Sequence, residues 1–292
     1  MKPMHLVAWL LFFVCVASSQ DCCDNEACGE SAFPALRGPY LGQTPPGLEP
    51  EIFAPGIVST GLATRVIAIT PEGNELYFAG TLGSRTLIMV SRQKDGVWTE
   101  PKVAPFSGRY LDIEPAISPD GQRLFFLSTR PQAGQEEKSG WVYQDIWVMD
   151  REGEAWGAPY NLGAPVNSDA PEYFPSVTAD STLYFTRERE DRVSETWRSR
   201  YVDGAYAEPE KLGPEVNCGS NRFNVWVAPD ESFAIVPCLG RDDNLGGVDY
   251  YVVFRSADDT WSEPINLGPT INQPEGREWS ASLSPDGKYL FF

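Results

Sequence analysis

ISPDGQRLFF, Ile117 to Phe126, reads as a hairpin: a β-prone start, a Pro-Asp-Gly turn, then an apolar run. Gly121 can supply the positive φ that such a turn demands. The phrase returns as ITPEGNELYF (Ile69 to Phe78) and SLSPDGKYLFF (Ser282 to Phe292). Weaker copies are VTADSTLYF (Val177 to Phe185) and VAPDESFAIV (Val227 to Val236). A second phrase keeps step with it: DGVWTEP from Asp95, GEAWGAP from Gly153, DGAYAEP from Asp203 and DDTWSEP from Asp258. The first phrase places its turns at Pro71, Pro119, Ala179, Pro229 and Pro285, 48 to 60 residues apart. A period of about 50 residues with several short strands per unit points to a propeller or a similar array.

Within the unit that starts at Glu114, PAIS and RLFFLS flank the turn, DIWVMD (Asp145 to Asp150) makes a third strand, and APYNLGAPVN (Ala158 to Asn167) a fourth. Four antiparallel strands per unit make one blade, with Trp and Phe filling the space between blades. Helical periodicity is absent after the N-terminal segment. These residues resemble the WD40-like propeller repeats of TolB-type proteins, whose blades carry a Ser-Pro-Asp-Gly turn followed by an apolar strand. The resemblance covers about Pro39 to Phe292 and implies an all-β propeller of four-stranded antiparallel blades. Two copies depart from the pattern: TADS (Thr178 to Ser181) is followed one residue early by its strand, and APDE (Ala228 to Glu231) lacks the glycine. Both put the local turn geometry in question.

The fourth strands share a spacing, Pro159/Leu162/Val166, Pro209/Leu212/Val216 and Pro264/Leu267/Ile271, and Pro50/Phe53/Ile57 repeats it ahead of the first unit. Propellers commonly close by joining both chain ends in one blade, which removes open edges. The expected architecture is therefore five blades, with six as the alternative count. The last blade is closed by a strand from Pro50 to Ser59 and lacks its third strand, so the propeller is expected to be incomplete at its C-terminus.

Lys2 precedes LVAWLLFFVCVASS, an apolar run ending in small residues. That is too short for a span of about 18 apolar residues and fits a signal peptide. The expected organisation is a signal peptide at 1–19, a Cys-containing linker at 20–38 and a propeller at 39–292, secreted or periplasmic and not membrane-spanning. Export permits disulfides: Cys218 and Cys238 are expected to pair, while the pairing of Cys22, Cys23 and Cys28 stays open. The net charge of −18 repels phosphate backbones and argues against a nucleic-acid partner.

The only histidine, His5, leaves with the signal, which removes Ser-His-Asp, Cys-His and histidine-metal chemistry from the mature chain. No phosphate-cradling glycine motif is present. No cofactor is expected, with calcium as the alternative: RDDNLGGVD (Arg241 to Asp249) has the acid density of a calcium loop but lacks the alternating acids and terminal Glu of an EF-hand, and is read first as a solvated loop.

In an antiparallel meander the Pro-Asp-Gly and Trp-flanked turns share one face. The loops of varied length share the other, and such loops are where function concentrates. Asp112, Glu172 and Glu278 hold one place at the start of the inner strand, where blade 4 has Arg222 and blade 1 has Thr64. Two readings are weighed. Each acid fixes its own loop, or the four residues Asp112, Glu172, Arg222 and Glu278 gather at the channel mouth as a ligand site. Asp145 and Asp249, at the start of third strands, are read as turn-fixing. The expected function is an exported, non-catalytic TolB-like propeller binding a protein or glycan at its loop-rich face. The alternatives are a glycosidase- or sialidase-like hydrolase using the channel-mouth carboxylates, whose paired acids would need a defined separation, and a structural module of an envelope assembly.

Overall fold

The structure, a computed structural model, describes residues 33–276 and 279–292. The expected signal peptide, the cysteines at 22, 23 and 28, and Glu278 lie outside the described residues.

Four antiparallel sheets follow one another along the chain. Blade 1 runs from its inner strand Ala63–Ile69 through Glu75–Leu82 and Arg85–Lys94 to Lys102–Val103. Blade 2 uses Asp112–Ile117, Arg123–Ser128, Asp145–Glu152 and Tyr160–Asn161, and blade 3 uses Glu172–Val177, Leu183–Glu188, Ser194–Ser199 and Glu210–Lys211. In blade 4 the inner strand is split into Asn221–Arg222 and Trp226–Val227, followed by Phe233–Leu239, Val248–Phe254 and Ile265–Asn266. A fifth, two-stranded sheet pairs Ser282–Leu283 with Leu290–Phe291. It joins the ring on both sides: Asn224 bridges Ser280 on the blade 4 side, and Ser282 Oγ donates to the Ile67 carbonyl of blade 1 at 2.8 Å.

Strand alternation builds the core. Phe126 turns toward Tyr77, Ile88 and Val90 of blade 1, and its neighbour Phe125 turns toward Val177, Leu183 and Phe185 of blade 3. Period-two side chains thus feed two successive gaps from one strand. The turn aromatics pack as expected: Trp156 against the blade 1/2 gap, Tyr206 against the 2/3 gap and Trp261 against the 3/4 gap.

All five Pro-Asp-Gly-type turns are present, including the two departures. Gly73, Gly121 and Gly287 adopt φ of 70°, 70° and 69°, and Ser181 and Glu231 occupy the same place at 67° and 58°. Each donates its N–H to the carbonyl three residues earlier, as Ser181 does to Thr178 at 2.9 Å and Glu231 to Ala228 at 2.8 Å. The shorter copy closes its hairpin one residue sooner, Thr178 N–H bonding the Thr182 carbonyl.

The outer strands are shorter than the Pro/Leu/Val spacing suggested. Each makes two ladder residues and then turns, because an asparagine completes the pairing: Asn167, Asn217 and Asn272 each accept from the N–H and donate to the C=O of a third-strand residue, Ile146, Thr196 and Tyr250. In place of the expected strand at Pro50–Ser59 there is a turn, with Ala54 C=O accepting from Ile57 and Val58. Ala54 and Val58 are buried against Leu76, Phe78 and Trp98 of blade 1. The segment still meets the last sheet through aromatic contacts, Phe53 to Phe291 at 5.0 Å and Tyr40 to Tyr289 at 5.1 Å. A cleft of about 640 Å³ lies between Pro50–Ser59 and Leu290–Phe292.

Asp286 fastens this seam, accepting from Ser284 Oγ at 2.7 Å, Tyr40 Oη at 3.1 Å and Lys288 N–H at 3.3 Å. The Ser284 hydroxyl, helped by Lys288 and Tyr40, holds its carboxyl down at about 2. A depressed folded pKa gives stability that is present above the ordinary Asp value and lost as pH falls through the folded one. Asp286→Asn is therefore expected to flatten the acid loss of stability between pH 3.8 and about 2. Urea midpoints across that window check it; unchanged curvature would reject the role.

Candidate functional site: the inner ring and its channel

Asp112 and Glu172 are each fully buried, each held by an arginine of its own blade and by a serine of the loop that precedes it. Asp112 accepts from Ser107 Oγ at 2.9 Å, Ser128 Oγ at 2.6 Å and Arg130 Nη2 at 2.9 Å. Glu172 accepts from Arg187 Nε at 2.6 Å and from the hydroxyl and N–H of Ser168. Burial pushes both carboxyls above the usual range, against the pull of their arginines and hydroxyls. Each arginine also lies over aromatic rings, Arg130 at 5.2 Å from Trp147 and Arg187 at 4.8 Å from Trp197. Arg222 holds the same place in blade 4, and its guanidinium pKa is lowered by burial. Thr64 donates to the Val58 carbonyl at 3.1 Å. Among the described residues no hydrogen bond or ion pair joins Asp112, Glu172 and Arg222 to one another. Asp145 and Asp249 each tie a loop to the outer strand, accepting from Asn161 Nδ2 at 2.7 Å and Asn266 Nδ2 at 2.9 Å.

The residues that do converge lie one or two places deeper along the inner strands. Glu114 of blade 2 accepts from the Phe174 N–H of blade 3 at 2.8 Å and from Asn224 Nδ2 of blade 4 at 3.0 Å. Arg65 of blade 1 reaches Glu114 at 3.4 Å and Ser280 Oγ at 3.2 Å, and Asn224 donates to Ser280 Oγ at 2.7 Å. Every repeat contributes one member to this polar knot. Burial raises the Glu114 carboxyl, and Arg65 opposes that rise.

A repeated backbone irregularity aims the knot inward. Val66, Glu114 and Phe174 stand five residues before their turn positions and adopt φ of 50°, 61° and 50°. The ladder register shifts around each of them. Such bulges redirect a side chain and cost about 1–3 kcal/mol at a non-glycine residue. Sequence reading passed over Glu114, Asn224 and Ser280; the available signal was their common offset from the turn.

Beyond the knot, a cavity of about 560 Å³ runs to the Pro-Asp-Gly turns, walled by all five inner strands. Its walls mix apolar side chains, Ala116, Ile117, Trp226 and Phe233, with Ser118, Ser176 and Ser282, and Asp230 and Asp286 stand at the turn end. On the loop side, Phe223 and Trp279 stack at 5.4 Å with planes 13° apart, and Arg65 lies 5.9 Å from the Trp279 ring. Trp279 is 38% exposed.

This is a β-propeller, with repeated sheets ranged around a central channel. No protein-family model matches the chain, and none of the curated proteins does. Among solved structures, TolB from Acinetobacter baumannii superposes with a TM-score of 0.50 at 18% identity, over 78% of this chain and 48% of that one. A putative TolB from Agrobacterium tumefaciens gives 0.50 at 16% identity, over 78% of this chain and 69% of that one. The fold is TolB-like, and the chain spans about half the length of the first of these proteins. Among the described residues no helix is long and apolar enough to cross a membrane.

Proposed function

We propose that the chain is an exported, non-catalytic binding protein that takes a segment of a partner protein into its central channel. The observation that supports this best is the cavity of about 560 Å³ walled by five inner strands, with Glu114 of the Arg65–Glu114–Asn224–Ser280 knot in its lining. A concave, pre-formed pocket that joins apolar walls to a few convergent polar groups is the usual form of a binding site. Export is supported by the buried Cys218–Cys238 disulfide, since such bonds persist in oxidising compartments. The hydrolase alternative draws less support, because Asp112, Glu172 and Glu114 each already have an arginine within 4.0 Å and further donors.

Ala116 is half-buried and lines the cavity. An Ala116→Trp variant is expected to keep its melting temperature within a few degrees and to lose the partner that the parent chain captures from envelope extract. Retention of that partner by the folded variant would overturn the channel reading. The exposed Phe223–Trp279 stack favours a second reading, a sugar ring held at the loop end. Binding that survives Ala116→Trp and disappears with Trp279→Ala would select it.

A further inference from the structure

Blade 4 breaks a charge rule that its neighbours keep. The position that opens the inner strand is an acid in blades 2 and 3, and each acid has an arginine of its own blade, Arg130 two residues past the second strand at 2.9 Å from Asp112 and Arg187 within the second strand at 2.6 Å from Glu172. In blade 4 the sign is reversed and no counter-charge follows. Arg222 stands opposite Cys238, whose sulfur is committed to Cys218. The flanking residues of that second strand, Pro237 and Leu239, bring no acid.

Arg222 is 7% exposed, and its Nε and Nη1 are buried without a hydrogen-bond partner. A buried guanidinium left in this state is expensive, and a bound anion would offset that cost. The acid that acts on it electrostatically, Glu195, is already shared between Arg189 at 3.5 Å and Lys211 at 3.4 Å. Arg189 in turn holds Asp191 at 2.8 Å. Counted together, Arg189, Lys211 and Arg222 exceed Glu195 and Asp191 by one positive charge, in a chain whose net charge is −18. Arg189 and Lys211 are about half exposed, so the group is approached from solvent on the loop side of the gap between blades 3 and 4.

We propose that this gap is an oxyanion-binding site, with Arg222 as the principal donor and Arg189 and Lys211 beside it. The guanidinium is planar and offers paired N–H donors, which suits a carboxylate or a phosphate group. The site is separate from the channel, so it can fail without touching the channel reading.

The test is thermal denaturation of the full chain titrated with sodium acetate and, separately, with inorganic phosphate. Ionic strength is held constant with chloride. The melting temperature is expected to rise and saturate with at least one of the two, and Arg222→Met is expected to remove that rise. Methionine keeps an apolar stem and removes the unpaired charge, so in chloride alone the variant should melt no lower than the parent. Glu195→Gln, which removes the competing acid, should shift half-saturation to lower anion concentration. Saturation by acetate alone assigns a carboxylate ligand, such as an acidic peptide, and saturation by phosphate alone assigns a phosphorylated one. An equal rise in parent and Arg222→Met, no rise with either anion, or an Arg222→Met variant that melts well below the parent in chloride would each overturn the proposal.

Discussion

Replacing Arg130 with methionine is expected to lower the unfolding free energy by about 3–5 kcal/mol, the range for removing one partner of a buried ion pair. Asp112 has no exposed surface and would keep only the Ser107 and Ser128 hydroxyls. Methionine retains packing against Phe126 and Trp147, over which the guanidinium now lies at 5.0 and 5.2 Å, so the loss should report charge rather than volume. The double variant Asp112→Asn, Arg130→Met should recover most of it. The pH dependence follows from burial, which already raises the Asp112 carboxyl above its ordinary value. A group whose folded pKa is raised favours the fold below its unfolded pKa, and that contribution is lost as pH rises through the folded value. Without Arg130 the folded pKa rises further. The deficit of the single variant should therefore be largest at neutral pH and shrink toward the unfolded Asp value of about 4. Urea denaturation at neutral and acid pH measures both. A loss below about 1 kcal/mol would mean that water reaches Asp112, in conflict with its burial.

That experiment also separates the two readings of the opening position of the inner strand. The phrase ISPDGQRLFF disclosed the hairpins because turn chemistry is local: the left-handed residue is needed whether glycine, Ser181 or Glu231 supplies it. Glu231 pays for its φ of 58° through long-range partners that no local pattern reveals, Tyr184 Oη at 2.6 Å and the Arg255 guanidinium. Asp259 does the same where Gly96 and Gly204 stand in other blades. At φ of 67° it holds Arg198 through two bonds of 2.7 and 2.8 Å. These two departures from the repeat converge on one arginine cluster between blades 3 and 4, so a broken consensus here marks blade pairing.

The inner ring was harder to see. A period of two predicts which face a residue takes only while the ladder is regular, and the shifts around Val66, Glu114 and Phe174 break that regularity. Position in the strand therefore identified Asp112 and Glu172, which are spent on private arginines, and passed over Glu114 and Asn224, which meet across the channel. Burial also had to be known before Arg222 could be recognised as unpaired, because a charge without a partner looks the same in sequence as one with a partner.

Loss of the Cys218–Cys238 bridge is the other large expected effect, about 3 kcal/mol in the chain-entropy account for a closed loop of this size. The two cysteines are 20 residues apart in sequence, and their Cα atoms lie 5.9 Å apart, inside the usual span for a bridge. The bond joins the segment leaving blade 3 to the second strand of blade 4. Both residues are buried beside Val216, Val225, Val236 and Tyr251, so the cross-link also pins a hydrophobic gap. Blade 4 depends on it more than its neighbours would, since its inner strand is split and makes only two short ladders with Phe233–Leu239. Cys218→Ala with Cys238→Ala should lower the urea midpoint by the equivalent of that 3 kcal/mol. Reductant should lower the parent's midpoint as well. Cys22, Cys23 and Cys28 are also present in the chain, so the parent alone cannot assign the reductant effect to this bridge. The double variant assigns it: a midpoint that reductant still lowers by as much as in the parent places the effect at the N-terminal cysteines. A double variant as stable as the oxidised parent would show that the bridge contributes nothing to the fold.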